Sequence, residues 1–116
     1  MKYEEYIVDG NCIVRSFCRM FNYNSLDVSN ELDDICREYN YTYDDVELFE
    51  EYLKRRNMFK IDYGKDLLVK DLKLDGKYIV FCWDKDNYYH MIPVIDNVVY
   101  DKNKKCLDLY VINIYK

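Results

Sequence analysis

Apolar residues change their period once along this 116-residue chain, from helical spacing in the first half to strand-like alternation in the second. After a Tyr-rich lead, Ile13, Phe17, Met20 and Phe21 recur at i, i+4, i+7 and i+8, which predicts a helix from about Asn11 to Asn22 with one inward stripe. Arg15, Ser16 and Arg19 fall off that stripe; Arg15, one turn past Cys12, could lower the thiol pKa or bind a substrate carboxylate, but reads first as a surface arginine. Asn11 suits the N-cap, which makes Cys12 the first helical residue. A second helix is expected from about Leu26 to Tyr39, capped by Ser25, with Val28, Leu32, Ile35 and Tyr39 facing inward. A third is expected from about Tyr43 to Asn57. There Thr42 and Asp45 resemble a capping box, acids fill the first turn, and Lys54-Arg55-Arg56 close the last one as dipole partners and solvated surface.

Beyond Gly64 the spacing becomes that of strands. Leu67-Leu68-Val69 reads as the start of the sheet, and Lys77–Trp83 is a nearly uninterrupted apolar run that suits a central strand. Tyr88–Ile95 alternates, with Tyr88, His90, Ile92 and Val94 on one face. Asp96-Asn97 is a two-residue hairpin signal leading into Val98–Asp101, and Leu107–Tyr115 supplies the last strand. Pro93 cannot donate to a ladder, so an edge position or a bulge is expected near His90. No linker, repeat or low-complexity segment divides the chain. The expectation is one α+β domain over residues 1–116, its N-terminal helices packed on a C-terminal antiparallel sheet.

Composition narrows the functional classes. Half of the residues are apolar and 17% are aromatic, which argues for a packed core. The formal charge is −5, with ten acidic and four basic side chains between Ser25 and Asn57 and no basic stripe, so binding to nucleic acid through phosphates is not expected. No apolar run is long enough to span a membrane. The absence of Ala and Gln beside abundant Asn, Lys, Asp and Ile fits an A+T-rich coding genome, such as that of a low-GC bacterium or its phage.

Five cysteines at irregular spacing, with no CxxC pair and no hydrophobic leader after Met1, point to free thiols in a reducing cytoplasm. One histidine and scattered cysteines provide no chelating pair, so neither a metal nor another cofactor is expected.

Cys12 stands out among these thiols because it opens a helix. The N-terminal dipole and the free N–H groups of the first turn favour thiolate over thiol, although a buried apolar role is the ordinary alternative. Cys18, six positions on, lies about 240° around the helix at about 100° per residue and cannot share that environment. His90, the only histidine, comes far downstream on a strand, the order that cysteine hydrolases use. Across the hairpin, Asp101 runs back toward His90 and could orient the imidazole, or it is a surface charge beside Lys102, Lys104 and Lys105. Asn103 is a more distant competitor for that place. Trp83, Tyr88 and Tyr89 are candidates either for a cleft wall or for cross-strand pairs.

Three segments carry a resemblance: Gly10-Asn11-Cys12-Ile13-Val14-Arg15-Ser16-Phe17, Gly76-Lys77-Tyr78-Ile79-Val80, and the hairpin from His90 to Asp101. Together they resemble the papain-like cysteine peptidase superfamily, in particular small bacterial and phage-encoded members related to the C39-type and NlpC-type domains. The resemblance implies a minimal papain-like fold in which Cys12 attacks an amide or thioester carbonyl, His90 shuttles the proton and Asp101 orients His90. Family members commonly place a Gln several residues before the Cys to hold the oxyanion. This chain has no Gln and carries Tyr6 at that spacing, so the Cys12 N–H and the Asn11 side chain are the expected donors, although Asn11 is also the expected cap.

The leading expectation is therefore a cysteine hydrolase acting on a peptide or protein substrate through a Cys12 thioester. The alternatives are a non-catalytic member of the same fold, such as a phage factor that sequesters a host protein, and an inhibitor that occupies a basic site by acidic mimicry.

Overall fold

The computed structural model describes residues 1–116, and its elements follow the change of period. Strand β1 (Lys2–Glu5) is followed by helices α1 (Cys12–Phe21), α2 (Ser25–Tyr39) and α3 (Val46–Lys54). Strands β2 (Lys60–Ile61), β3 (Lys77–Trp83), β4 (Tyr89–Ile95), β5 (Val98–Asp101) and β6 (Tyr110–Tyr115) complete the chain, with short 3-10 turns at Val69–Asp71 and Lys104–Asp108. They form one six-stranded sheet in the order β1-β5-β4-β3-β6-β2.

The α+β class is as expected, but the sheet is mixed: β1 lies parallel to β5, with Lys2 opposite Val98 and Glu5 opposite Asp101. Leu67-Leu68-Val69 does not start the sheet. Leu68 makes a lone bridge to Tyr110, and Val69 enters a 3-10 turn closed by the Asp71 carboxylate on the Leu68 N–H. The last strand likewise begins at Tyr110, because Lys104–Asp108 coils into the second 3-10 turn.

Local chemistry explains the helix ends. Asn11 caps α1 by accepting from the Val14 N–H at 2.9 Å, and Asn22 ends the helix in the left-handed conformation at φ 58°. Asn24, not Ser25, caps α2, its side chain accepting from Asp27 N at 2.8 Å. Helix α3 starts at Val46, later than expected, because Asp45 turns its carboxylate back to the Thr42 N–H at 2.8 Å and holds residues 42–45 in a turn. Asp96 and Asn97 both adopt positive φ, 51° and 64°, as a tight two-residue hairpin requires.

Helix α1 is buried nearly all round rather than along one stripe: Val14, Arg15, Ser16, Phe17, Cys18 and Met20 are all inaccessible. It lies between α2, α3 and the sheet, where Phe17 stacks on Tyr52 with ring centroids 4.2 Å apart. A first core joins the helices to one sheet face through Ile79 and Met91. A second, including Val80, Ile92, Val94 and Ile114, covers the other face beneath residues 67–74 and 106–109.

Pro93 sits on an interior strand, not an edge, and β4 carries no bulge; an irregularity does fall near His90, on β3 at Phe81/Cys82, where Cys82 is the partner of His90. The pairing of Pro93 with Ile79 of β3 is uninterrupted. The missing N–H is tolerated because the ladder to β5 consists only of Val94↔Val99 and Ile95↔Val98 and stops beside the proline.

Arg55 and Arg56 are not merely solvated. They tie α3 to α2 through Glu38 at 3.2 Å and Glu31 at 2.6 Å, and the Arg56 guanidinium lies 3.7 Å from the Tyr52 ring centroid. Glu50 and Glu51 also have cationic partners, Lys60 and Arg55, and Asp33 accepts from the Tyr43 hydroxyl. Much of the acidic excess of this region is thus spent within the chain. No helix is long and apolar enough to cross a membrane, and all five cysteines are free thiols.

Candidate active site

Where β4 and β5 stop pairing, side chains bridge the gap. His90 Nε2 is 2.7 Å from Asp101 Oδ2, and the two residues are only 5% and 4% exposed. Burial raises the carboxyl pKa of Asp101, but its bond to His90, the imidazolium charge, the Lys102 N–H and Arg15 outweigh burial and leave it lowered. Strand β1 holds the Asp101 backbone: its carbonyl accepts from the Tyr3 hydroxyl at 2.7 Å and from Tyr6 N at 2.9 Å. Asp101 is therefore an interior orienter and not a surface charge. Asn103 is elsewhere engaged, capping the 3-10 turn at Lys105 N.

Since Asp101 takes Nε2, Nδ1 is the nitrogen left for a partner on the opposite side of the ring. The N-terminus of α1 sets Cys12 beside that imidazole in one cleft, and Ser16, one turn on, fastens the helix to β4 by donating to the Met91 carbonyl at 3.0 Å. Burial alone would raise the Cys12 pKa. The His90 hydrogen bond, the Met91 N–H and the charges of His90 and Arg15 reverse this and lower it. No acidic residue lies in the first turn of α1 to oppose the thiolate. His90 responds reciprocally: desolvation acts to lower its pKa, yet bonds to Asp101 and Cys12 lift it to about 9. The two shifts, Cys12 downward and His90 upward, both run in the direction of a thiolate–imidazolium pair. The other four thiols are all shifted the opposite way, principally by burial, and Cys106 reaches about 12.

Arg15 corrects the expectation of a surface arginine. It is 8% exposed, donates from Nη1 to the Gly10 carbonyl at 3.0 Å, and places Nη2 3.8 Å from Asp101 Oδ1. The guanidinium thus ties the segment before Cys12 to the residue that orients His90. Its spacing from Cys12, nearly one helical turn, was the only trace of this in the sequence.

Cys12 and His90 open into a cleft of about 540 Å³. Its walls come from Ile13 of α1, Tyr43, Val46 and Phe49 at the start of α3, and Phe81, Tyr89 and Met91 of the sheet; Asp44 is its one charged side chain apart from His90. Of the three strand aromatics, Tyr89 lines this cleft, Tyr88 stacks on the His90 ring at 5.5 Å, and Trp83 packs on Tyr89 outside it.

Asn11 also faces the cleft. Its Oδ1 serves the cap, which leaves the donor atom of the same amide, Nδ2, for other partners. The Cys12 N–H, in the first turn of α1, has no partner within the helix. Tyr6 does not line the cleft; its hydroxyl titration is governed by burial and by Cys18 and Arg19 on the far side of α1. No group of three His, Cys, Asp or Glu side chains is arranged to hold a metal ion. No family model, curated protein or solved structure matches the chain.

Proposed function

We propose that the protein is a papain-like cysteine hydrolase that cleaves an amide or related acyl bond through a thioester on Cys12. The observation that carries this reading is the continuous chain from thiol to carboxylate: Cys12 at the start of α1, His90 against it, and Asp101 2.7 Å from the far nitrogen of His90. In the proposed reaction the Cys12 thiolate attacks the carbonyl carbon, forming a C–S bond. The developing oxyanion is met by the Cys12 N–H and Asn11 Nδ2. The imidazolium of His90 gives its proton to the leaving nitrogen, the C–N bond breaks, and a thioester remains. His90 then removes a proton from water, which attacks the thioester carbon; the C–S bond breaks, the acyl group leaves as a carboxylic acid, and the proton held by His90 restores the resting pair. Throughout, ionised Asp101 holds the ring with Nδ1 toward Cys12.

The experiment that tests this is acylation by p-nitrophenyl acetate, followed by intact-protein and peptide mass spectrometry. The proposal expects release of p-nitrophenol with a transient acetyl group on Cys12 that is lost on standing. Absence of acylation at Cys12, with only slow background hydrolysis, would favour the non-catalytic reading, in which the fold serves as a binding scaffold. Acidic mimicry is weakened by the internal pairing of Glu31, Glu38, Glu50 and Glu51.

A further inference from the structure

Two hollows meet at His90, and they differ in chemistry. The larger, about 540 Å³, contains Cys12 and is walled mainly by apolar and aromatic side chains. The smaller, about 260 Å³, contains His90 and Asp101 but not Cys12, and its rim is polar, with Asp84, Asn103 and Lys105. In a thiol hydrolysis the acyl part stays bonded to sulfur, and the smaller hollow lies on the Asp101 side of the imidazole, away from the nitrogen left to face Cys12. The hollow that holds the sulfur is therefore the acyl side.

From this division we infer that the preferred acyl group carries a bulky apolar or aromatic side chain beside the reacting carbonyl, and that an anionic one is rejected. The inference rests on the hydrolase reading above. Ile13, Val46, Phe49 and Phe81 offer this side chain no hydrogen-bond partner, so a polar group seated against them would lose its water without replacement. At the mouth, Asp44 has no cationic partner in the chain, and no lysine or arginine lines this cleft. A carboxylate entering there meets Asp44 with no lysine or arginine to offset it, and the His90 charge deeper in the cleft is already matched by the Cys12 thiolate. Tyr89, 52% exposed, is the wall most open to an incoming ring.

The test uses the whole protein and three chloromethyl ketones, those of acetyl-Phe, acetyl-Gly and acetyl-Asp. Each alkylates Cys12 by forming a C–S bond and releasing chloride. Rates are divided by the iodoacetamide rate at Cys12 of the same protein, so that thiol activation is removed from the comparison. The Phe reagent is expected to exceed the Gly reagent by roughly tenfold to a hundredfold, the value of burying one large apolar side chain. The Asp reagent should be the slowest, and Asp44→Asn should narrow its deficit by about two- to fivefold, as suits an exposed charge. Tyr89→Ala should reduce the Phe preference. Fast iodoacetamide labelling with equal ketone rates would overturn the inference and leave the hydrolase reading standing. Cys12 labelling no faster than an ordinary thiol would overturn both.

Discussion

His90 Nε2 meets Asp101 Oδ2 at 2.7 Å across two strands whose backbone ladder has already ended at Val94 and Val99. The side-chain bond replaces the missing backbone pairing and fixes which imidazole nitrogen faces Cys12. Because the chain has one histidine, a single imidazole resonance reports on it. The titration midpoint should lie near pH 9 in the unaltered protein, since the two bonds to His90 outweigh its burial. Asp101→Asn keeps the shape but removes the charge. The midpoint should then fall back toward about 6.5, measured by NMR across the pH range. A midpoint unmoved by this substitution would mean that Asp101 does not govern the imidazole.

Arg15 links the same carboxylate to the turn that precedes Cys12. Replacing it with Met leaves the Gly10 carbonyl and Asp101 without their cationic partner in a buried place, and should cost about 1–3 kcal/mol in urea denaturation. Arg15 also favours ionisation of both Cys12 and Asp101. Arg15→Met should therefore move the rise of Cys12 alkylation to higher pH. Arg15→Lys, which keeps the charge but not the fork, should restore part of that shift.

Gly10 sets the approach of the chain to Cys12. Its φ of +115° is strained for any side chain, and a Cβ there would stand 2.8 Å from Val14 Cγ1. Gly10→Ala should cost about 1–3 kcal/mol from the backbone alone. By displacing the Asn11 cap and Cys12, it should also slow alkylation more than a change of stability at a distant position does. Denaturation and labelling measured on the same variant check both parts.

The residues that carry chemistry were legible where their signals are local. Asn11 before an apolar run announces a helix start, and Asp96-Asn97 announces a hairpin that returns Asp101 toward His90; neither depends on distant partners. Strand β1 was not legible. Its Lys-Tyr-Glu-Glu sequence lacks an apolar face because it lies at the sheet edge with mostly exposed side chains. It is set by the parallel match to Val98–Asp101, some ninety positions away. Arg15 was hidden for a related reason. A charged residue off the apolar stripe belongs at the surface unless a buried partner awaits it, and that partner, Asp101, is remote in sequence. Pro93 misled because an interior strand rarely tolerates proline; a ladder that stops beside it has no signature of its own.

Whether His90 sustains an activated thiolate at Cys12 is read from the pH dependence of iodoacetamide labelling at Cys12, resolved by peptide mass spectrometry. Cys36, a partly accessible thiol whose pKa is raised by burial and nearby acids, is the reference within the same molecule. Cys12 should label rapidly at pH 6, where Cys36 scarcely reacts, reach its plateau below pH 9, and lose its pH 6 rate in His90→Ala. Labelling of Cys12 that rises only near pH 9, and that is unchanged by removing His90, would contradict a thiolate sustained by His90.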